Sequence, residues 1–465
     1  DTMDQVTEQD LGQAGRGYGM LSSGGLAATI RNSSIEAANV LNTEIYKVEN
    51  GFAGSLGDGV LTYRTPLDVQ EGTSSLPWSK VVICEDYNGD GSVNWKDAAA
   101  NYKNVRKEIL GMESIKDNMM YIAMNFGSQV QEPFLKSLDT GKIVYNLTDG
   151  FGQMVMEKGY AAEGHDDSHG DYGGHIGVRQ GGKEDFNKVI RAGKKYNMKY
   201  GIHINVSEHN PDGLLFNPDV MTRPLSANWG WLDQAYWVDE TQDILSGNRA
   251  KNLDALKEDL PDLNFVYVDI YGNSTWKADN LVRELNDRGY LVGTEFGGAM
   301  EQGASFTHWG HDNSYPNHGN NSTILKYFKN DLDVFVSDAM FNGAMMPRVG
   351  SWGGKNDINE AQEDFFNHNL PTKYMQHFDV LNIGEDFVDY TGKVRVEKAG
   401  NGVKGEEENL VTMYKDGEMI ASWEWWKEQP EDESWADDKT GEATVFIPWY
   451  GEDSSERNPD EAAKI

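Results

Sequence analysis

Residues 265–272 read FVYVDIYG and residues 290–298 read YLVGTEFGG. Each is a short apolar run with one carboxylate near its end and glycine close behind. Runs of this length, bounded by turn residues and separated by the helix-patterned ADNLVRELNDRG (278–289), read as buried strands of an alternating strand–helix chain. Burying a charge is costly unless something requires it there. Asp269 and Glu295 are therefore where chemistry should be sought. Period-two alternation puts Tyr267, Asp269 and Tyr271 on one side of the first strand and Val266, Val268 and Ile270 on the other.

Outward from this pair the same pattern recurs. MMYIAMNFGS (119–128), KIVYNLTDGF (142–151), KYGIHINVSE (199–208), FTHWGHD (306–312), DVFVSDAMF (333–341) and HFDVLNIGEDF (377–387) read as strands, and DFNKVIRAGKKYN (185–197) as a helix between two of them. Eight strands alternating with helices predict an α/β fold, a TIM-like (β/α)8 barrel over 117–395. A doubly wound open sheet is the runner-up, but no Gly-rich phosphate fingerprint follows the first strand. The flanks read as β-rich: 1–80 with GGLAATIR and GVLTYRT, and 396–465 with ENLVTMYKDGEMIASWEWW and GEATVFIPWYG. Residues 81–116 read as a polar loop running into a helix.

The net charge of −34, from 41 Lys and Arg against 75 Asp and Glu, excludes a cationic footprint for nucleic acid and disfavours anionic membrane surfaces. No apolar run approaches the ~20 residues needed to span a bilayer. With one cysteine, Cys84, no disulfide can form within the chain and a Cys-rich zinc site is ruled out. The opening DTMDQVTEQDLGQ is polar and acidic, unlike a signal peptide, and reads as the interior of something longer or as the start of a mature or trimmed chain.

Barrel enzymes carry reactive groups at the C-terminal ends of strands, and consecutive strands are usually neighbours. Asp269 and Glu295 should then face one rim pocket. Two carboxylates about 5–5.5 Å apart are what a retaining glycosidase needs; two unrelated strand-end acids paired with cations are the bland alternative. EGHDDSHGDYGGH (163–175) crowds three histidines and three aspartates into one loop. It reads either as a metal centre or as a polar loop in which His165 and Asp166 meet sugar hydroxyls. Its glycines argue against the helix that a zinc-binding His165/His169 pair would need. His203 sits on a strand end toward the same rim, or in the core. NWGWLDQAYWVDE (228–240) offers Trp229 and Trp231 in a Gly-containing polar loop suited to stacking on pyranose rings, with Trp237 closer to an apolar run. DYNGDGSVNWKD places Asp86, Asn88, Asp90, Ser92 and Asp97 at positions 1, 3, 5, 7 and 12 of an EF-hand-like loop with Gly91 at the sharp turn, which predicts a structural calcium ion. The alternative is an Asx-turn stretch capping the next helix. N-x-[ST] sequons, among them those at Asn32, Asn146, Asn205, Asn273 and Asn321, read as chance matches, since a glycan at Asn205 or Asn273 would block the rim.

IAMNFGSQVQEPFL, EGHDDSHGDYGG, GIHINVSE, NWGWLDQAYWVDE, VYVDIYG, TEFGG and FTHWGHD occur in one order. Together they resemble the catalytic region of bacterial endo-α-N-acetylgalactosaminidases, glycoside hydrolase family 101, from about residue 20 to 450. The resemblance implies a secreted or surface-attached retaining enzyme that needs no catalytic cofactor and releases galactosyl-β-1,3-N-acetylgalactosamine from Ser or Thr of mucin-type O-glycoproteins. It implies Asp269 as nucleophile, Glu295 as acid/base, Asp166 and His203 as disaccharide contacts, and Trp229 with Trp231 as a mobile aromatic lid; Tyr271 would steady Asp269 or the sugar ring. Three departures from the family pattern stand out: a shorter Asp269–Glu295 segment, an extra residue in DDSHGDYGGH, and a chain much shorter than the family's full-length proteins, which carry β domains on both sides. Another retaining α-glycosidase, a metal-dependent barrel hydrolase centred on 165–175, and a non-catalytic mucin-binding adhesin are the competing functions.

Overall fold

The computed structural model describes residues 4–5, 19–33, 42–49, 51–57, 63–74, 76–127, 129–271, 276–295, 300, 303–307, 327, 338–341, 345–350, 357–428 and 437–445. At its centre are seven parallel strands: β1 (Asn118–Met124), β2 (Gly152–Lys158), β3 (Met198–Asn205), β4 (Phe265–Asp269), β5 (Leu291–Thr294), β6 (Phe306–Thr307) and β7 (Met345–Gly350). They lie side by side in the order β6-β5-β4-β3-β2-β1-β7. Each strand from β1 to β6 thus neighbours the next in sequence, and β7 returns beside β1, which is the winding order of a barrel. Of the expected strand at 333–341, residues 333–337 lie outside the described residues, and 338–341 form a turn. Residues 308–312 of the FTHWGHD segment also lie outside them.

Alternation gives the sheet two different faces. Met120, Ile122, Met124, Met154, Met156, Phe265, Tyr267 and Phe306 pack together inside. Tyr121, Ala123, Val155, Ile202, Ile204, Val266, Val268 and Val292 join the outer core, packed with Phe134, Phe186, Leu256, Leu281 and Leu285 of the covering helices. Helix α2 (Gly182–Gly193) shows why it packs as it does: Phe186, Val189, Ile190 and Gly193 are buried at helical spacing, with Glu184 and Asp185 in its first turn and Arg191 in its last. Gly201 and Gly293 are inner positions where a Cβ would fall 2.2 Å from Phe265 and 2.1 Å from Phe306. Only a missing side chain leaves room there for the aromatic floor.

Three expectations are corrected. KIVYNLTDGF is the end of helix α1 (Phe134–Leu147) followed by a turn, and β2 begins only at Gly152. Phe134, Leu138, Gly141 and Val144 are buried at intervals of three and four, so the apolar run continues a helical stripe. HFDVLNIGEDF is not in the parallel sheet. Val380–Ile383 is instead the first strand of a six-stranded antiparallel meander that ends at Asp437–Val445. The C-terminal β unit therefore begins well before residue 396. The place given to that segment is taken by β7, whose MMPRVG sequence carries little strand periodicity.

At the other end, Asp4–Gln5, Gly19–Ser23, Leu26–Asn32 and Ser79–Cys84 form a four-stranded antiparallel sheet. The short helix Trp95–Asn101 buries Ala98, Ala99 and Ala100 in a core that also holds Met20 and Ala27 from this sheet and Val380, Val396 and Trp423 from the C-terminal one. The two β-rich flanks thus share one apolar core. No helix among the described residues is long and apolar enough to cross a membrane.

Candidate active site

The inner parity of the strands decides which side chains meet at their C-terminal ends. Val268 pairs with Thr294 on the neighbouring strand, so Asp269 and Glu295 follow at the same level on adjacent chains. Adjacent strands lie about 4.8 Å apart. Both residues continue the inward-facing series, Asp269 after Phe265 and Tyr267, Glu295 after Leu291 and Gly293. Asp269 is buried, and His203 Nε2 lies 3.1 Å from its Oδ1 without hydrogen-bond alignment. Glu295 accepts at Oε2 from the backbone N–H of Ile270, 3.0 Å away. Beneath them Tyr267 stacks between His203 and Phe306, with centroids 5.5 and 6.2 Å away.

A second cluster comes from the 163–175 loop and the excursion after β3. Asp166, in left-handed backbone geometry (φ 68°), accepts from the Trp229 indole N–H at 2.7 Å. Its other oxygen lies 3.1 Å from His165 Nε2 and 3.5 Å from His169 Nε2. On its far side His169 meets the buried Glu208 at 2.9 Å through Nδ1. Glu208 also accepts from Asn205 Nδ2 at 2.8 Å, from Asn228 Nδ2, and from the Trp229 backbone N–H at 3.3 Å. Trp229 is thus held at both its backbone and its ring, yet half of it stays exposed, as with Trp231. Trp231 rests edge-on against Phe126, 5.6 Å between centroids.

The electrostatics follow from these contacts. Burial works against ionisation of Asp166, but bonds and charge from His169 and His165 and the indole N–H outweigh it and hold its pKa at about 2. Burial also opposes charge on His169, and the two carboxylates flanking it overcome that and lift it to about 9. His165 and His203 go the other way: burial first, then the Lys158 ammonium, push both below the ordinary imidazole value and keep them neutral. Lys158, at the inner end of β2, is lowered by burial while Asp269, Glu295 and Asp166 pull it back toward its charged form. The rim therefore combines two strand-end carboxylates, a carboxylate–imidazolium–carboxylate chain, an ammonium and two neutral imidazoles. That set can bind hydroxyls, transfer a proton and stabilise a cation.

Asp269, Glu295, Asp166, His165, His203, Trp229 and Trp231 are brought to one end of the sheet. Tyr271 is not. Ile270 takes φ 43°, which breaks the strand alternation, and Tyr271 turns into the outer core, where its hydroxyl donates to Glu240 at 3.1 Å. Sequence reasoning left out Lys158, His169 and Glu208 as site residues. The parity that places Lys158 inside needed β2 in its true position, and Glu208 lies just past a strand end with nothing local to mark it. The 163–175 histidines pair with carboxylates; among the described residues, the one group of three ligand-type side chains within 4.8 Å is Asp167, Asp212 and Asp233.

The 86–97 loop has the sharp turn expected of it. Gly89 and Gly91 take φ of 75° and 84°. Asp86 accepts from the amides of Gly89, Asp90 and Gly91, and Ser92 N–H donates to Asp90. Asn88 donates to Asp90 Oδ2 at 3.3 Å. Asp97 is fully buried and accepts from the amides of Tyr87, Asn88 and Asn94. Asp86, Asp90 and Asp97 do not gather three carboxylate oxygens within 4.8 Å. Asp90 instead ties the loop to the C-terminal sheet through Asn382 Nδ2 at 3.1 Å.

Comparison with known proteins agrees with this architecture. The family model described as endo-α-N-acetylgalactosaminidase matches residues 96–362, more than half of the chain, and a galactose mutarotase-like fold domain matches residues 1–95. A protein of Renibacterium salmoninarum, provisionally named an endo-α-N-acetylgalactosaminidase, is 34% identical over 375 residues. That match takes in 79% of this chain and 25% of the relative, so the chain spans about a quarter of its length. Solved structures of the α-N-acetylgalactosaminidase NagBb from Bifidobacterium bifidum, ligand-free and as a quadruple mutant, superpose with a TM-score of 0.51 at 13% identity. They cover 82% of this chain and 73% and 72% of their own, and at that identity they speak for the fold alone. On the family match, this chain belongs to glycoside hydrolase family 101, the endo-α-N-acetylgalactosaminidases.

Proposed function

We propose that this glycoside hydrolase works by the retaining mechanism and releases Gal-β-1,3-GalNAc from Ser or Thr of mucin-type O-glycoproteins, outside the cell or at its surface. The observation that carries the mechanism is the equal level of Asp269 and Glu295 on adjacent strands of one face. The expected strand spacing of about 4.8 Å suits the short carboxylate separation of retaining enzymes better than the ~6.5–9.5 Å of inverting ones. Asp269 attacks the anomeric carbon of GalNAc while Glu295 protonates the departing Ser/Thr oxygen; water deprotonated by Glu295 then hydrolyses the glycosyl-enzyme. Asp166, ionised in its cluster, accepts from sugar hydroxyls. His203 and His165, held neutral, can each donate one N–H and accept at the other nitrogen, and Trp229 and Trp231 cover the ring.

Proton NMR of the first-formed anomer tests retention, and an initial β-product would refute it. Asp269→Asn should lower turnover by about 10⁴-fold or more with the fold intact. Full activity in that variant would remove Asp269 from its role. Comparing aryl α-glycosides of the disaccharide, GalNAc and galactose tests the substrate, with the disaccharide expected to be cleaved best.

Calcium in the 86–97 loop is a separate proposal, supported by ligand spacing and by the turn at Gly91. Its role would be structural, through Asp86, Asn88, Asp90, Ser92 and Asp97, and calorimetric titration with calcium tests it.

A further inference from the structure

We infer that the peptide of Ile270 is a clamp that sets the two strand-end carboxylates in register, and that Ser207 is a positioning residue acting through it. The inference deepens the retaining reading and rests on it for the roles of Asp269 and Glu295.

The first observation is conformational. Among the described non-glycine residues with positive φ, which are Asp, Asn, Ser, Ala, Lys and one Ile, Ile270 alone is β-branched. A β-branched side chain crowds its own backbone in this region, so such a residue is an outlier that surrounding contacts must hold. Side-chain packing does not account for it. Ile270 is 37% exposed and belongs to neither the inner nor the outer core, while Val268 and Tyr271 on either side are buried in the latter.

The second observation is what grips the peptide. Its N–H donates to Glu295 Oε2 at 3.0 Å, and its carbonyl accepts from Ser207 Oγ at 3.0 Å. Ser207 is itself buried and fixed. Its N–H donates to Asn205 Oδ1 at 2.9 Å, and its carbonyl accepts from Val238 N–H at 2.9 Å. Asn205 closes β3 and pairs with Asp269 in register. A continuous path thus runs from the end of β3 through Ser207 and the Ile270 peptide to Glu295. The residue it bends lies directly after Asp269. An extended Ile270 would continue the alternation and send Tyr271 into the site; the kink turns Tyr271 outward and aims the amide at Glu295.

The chemical consequence is selective. Glu295 needs its fixed position most when the leaving group is a poor one that must be protonated as it departs, such as the oxygen of Ser or Thr. Activated aryl leaving groups depart without that help.

The test uses the full chain with Ser207→Ala and two glycosides of the same disaccharide, a Ser/Thr-linked glycopeptide and a 2,4-dinitrophenyl glycoside. Here kcat/KM should fall about tenfold on the glycopeptide and at most threefold on the aryl glycoside, and Ser207→Thr should restore the glycopeptide rate. Equal losses on both substrates, or no loss on either, would overturn the inference. Should the alanine variant not fold, Ser207→Cys keeps the volume, weakens the donor and must give the same split. Ile270→Gly adopts positive φ freely, so its melting temperature should not fall. A drop of more than about 5 °C would mean that the isoleucine side chain, and not the clamped peptide, holds the segment. If the wild-type chain cleaves neither glycoside, the retaining reading fails, and the melting comparison still judges the clamp.

Discussion

The 86–97 loop and the rim of the parallel sheet are both crowded with acids, and their carboxylates are held in different ways. In the loop, Asp86 and Asp97 accept from backbone amides three to ten residues away. At the rim, Asp166 is held by an indole 63 residues on, His169 by a glutamate 39 residues on, and Glu295 by an amide 25 residues back. Acids bonded to neighbouring amides shape a turn and cap a helix. Acids whose partners come from distant elements have been gathered by the fold, at the desolvation cost of burying a charge. What separates the two regions is thus the sequence distance of most of their carboxylates' partners, with Asp90, bonded to Asn382 292 residues on, the exception in the loop.

The sharpest way to break that distinction is to remove one acid from each region. Asp166→Asn should lower kcat/KM by about 10²–10³-fold, because a charged acceptor for substrate hydroxyls and a partner of His169 are both lost. Asp86→Asn should leave kcat/KM within about twofold and cost about 1 kcal/mol of stability through weakened turn bonds. A larger kinetic effect at Asp86 than at Asp166 would defeat the comparison.

Glu208→Ala should cost about 3 kcal/mol in denaturant unfolding, since it removes one side of a buried charge chain and leaves His169 with Asp166 alone. It should also raise KM by freeing Trp229. His169 adds a pH dependence of its own. Its folded pKa of about 9 lies above the ordinary 6.5, so its contribution to stability is complete below pH 6.5 and lost as pH rises through 9. Melting temperature should fall over that window, and less so in His169→Gln.

Glu157 gives a third kind of buried acid, one without a cation. It faces the outer core, receives the Ser137 hydroxyl at 2.6 Å on one oxygen and has no bonded partner on the other. Burial lifts its pKa to about 8. The protonated form favours folding below pH 4.5, and that advantage drains away as pH rises toward 8. Glu157→Gln should therefore stabilise the protein by on the order of 2 kcal/mol at pH 7.5 and by nothing measurable at pH 4. The smallest effect belongs to Tyr271→Phe, which loses the bond to Glu240, costs about 1 kcal/mol and leaves turnover within about twofold.

The sequence by itself determined the alternating order of strands and helices and the placement of Asp269 and Glu295 at strand ends. It also determined the acid- and tryptophan-rich loops that follow β2 and β3, because apolar periodicity and turn residues are local signals. It misread KIVYNLTDGF, where a helical stripe and a strand run share the same apolar residues, and HFDVLNIGEDF, where nothing local tells a parallel neighbour from an antiparallel one. The tertiary structure alone decided that β7 pairs with β1, that Lys158 faces inward and that Glu208 reaches His169. It alone decided that a left-handed Ile270 turns Tyr271 away from the site. Each of these depends on groups far apart in the chain competing for one space, and such competition leaves no trace in local pattern.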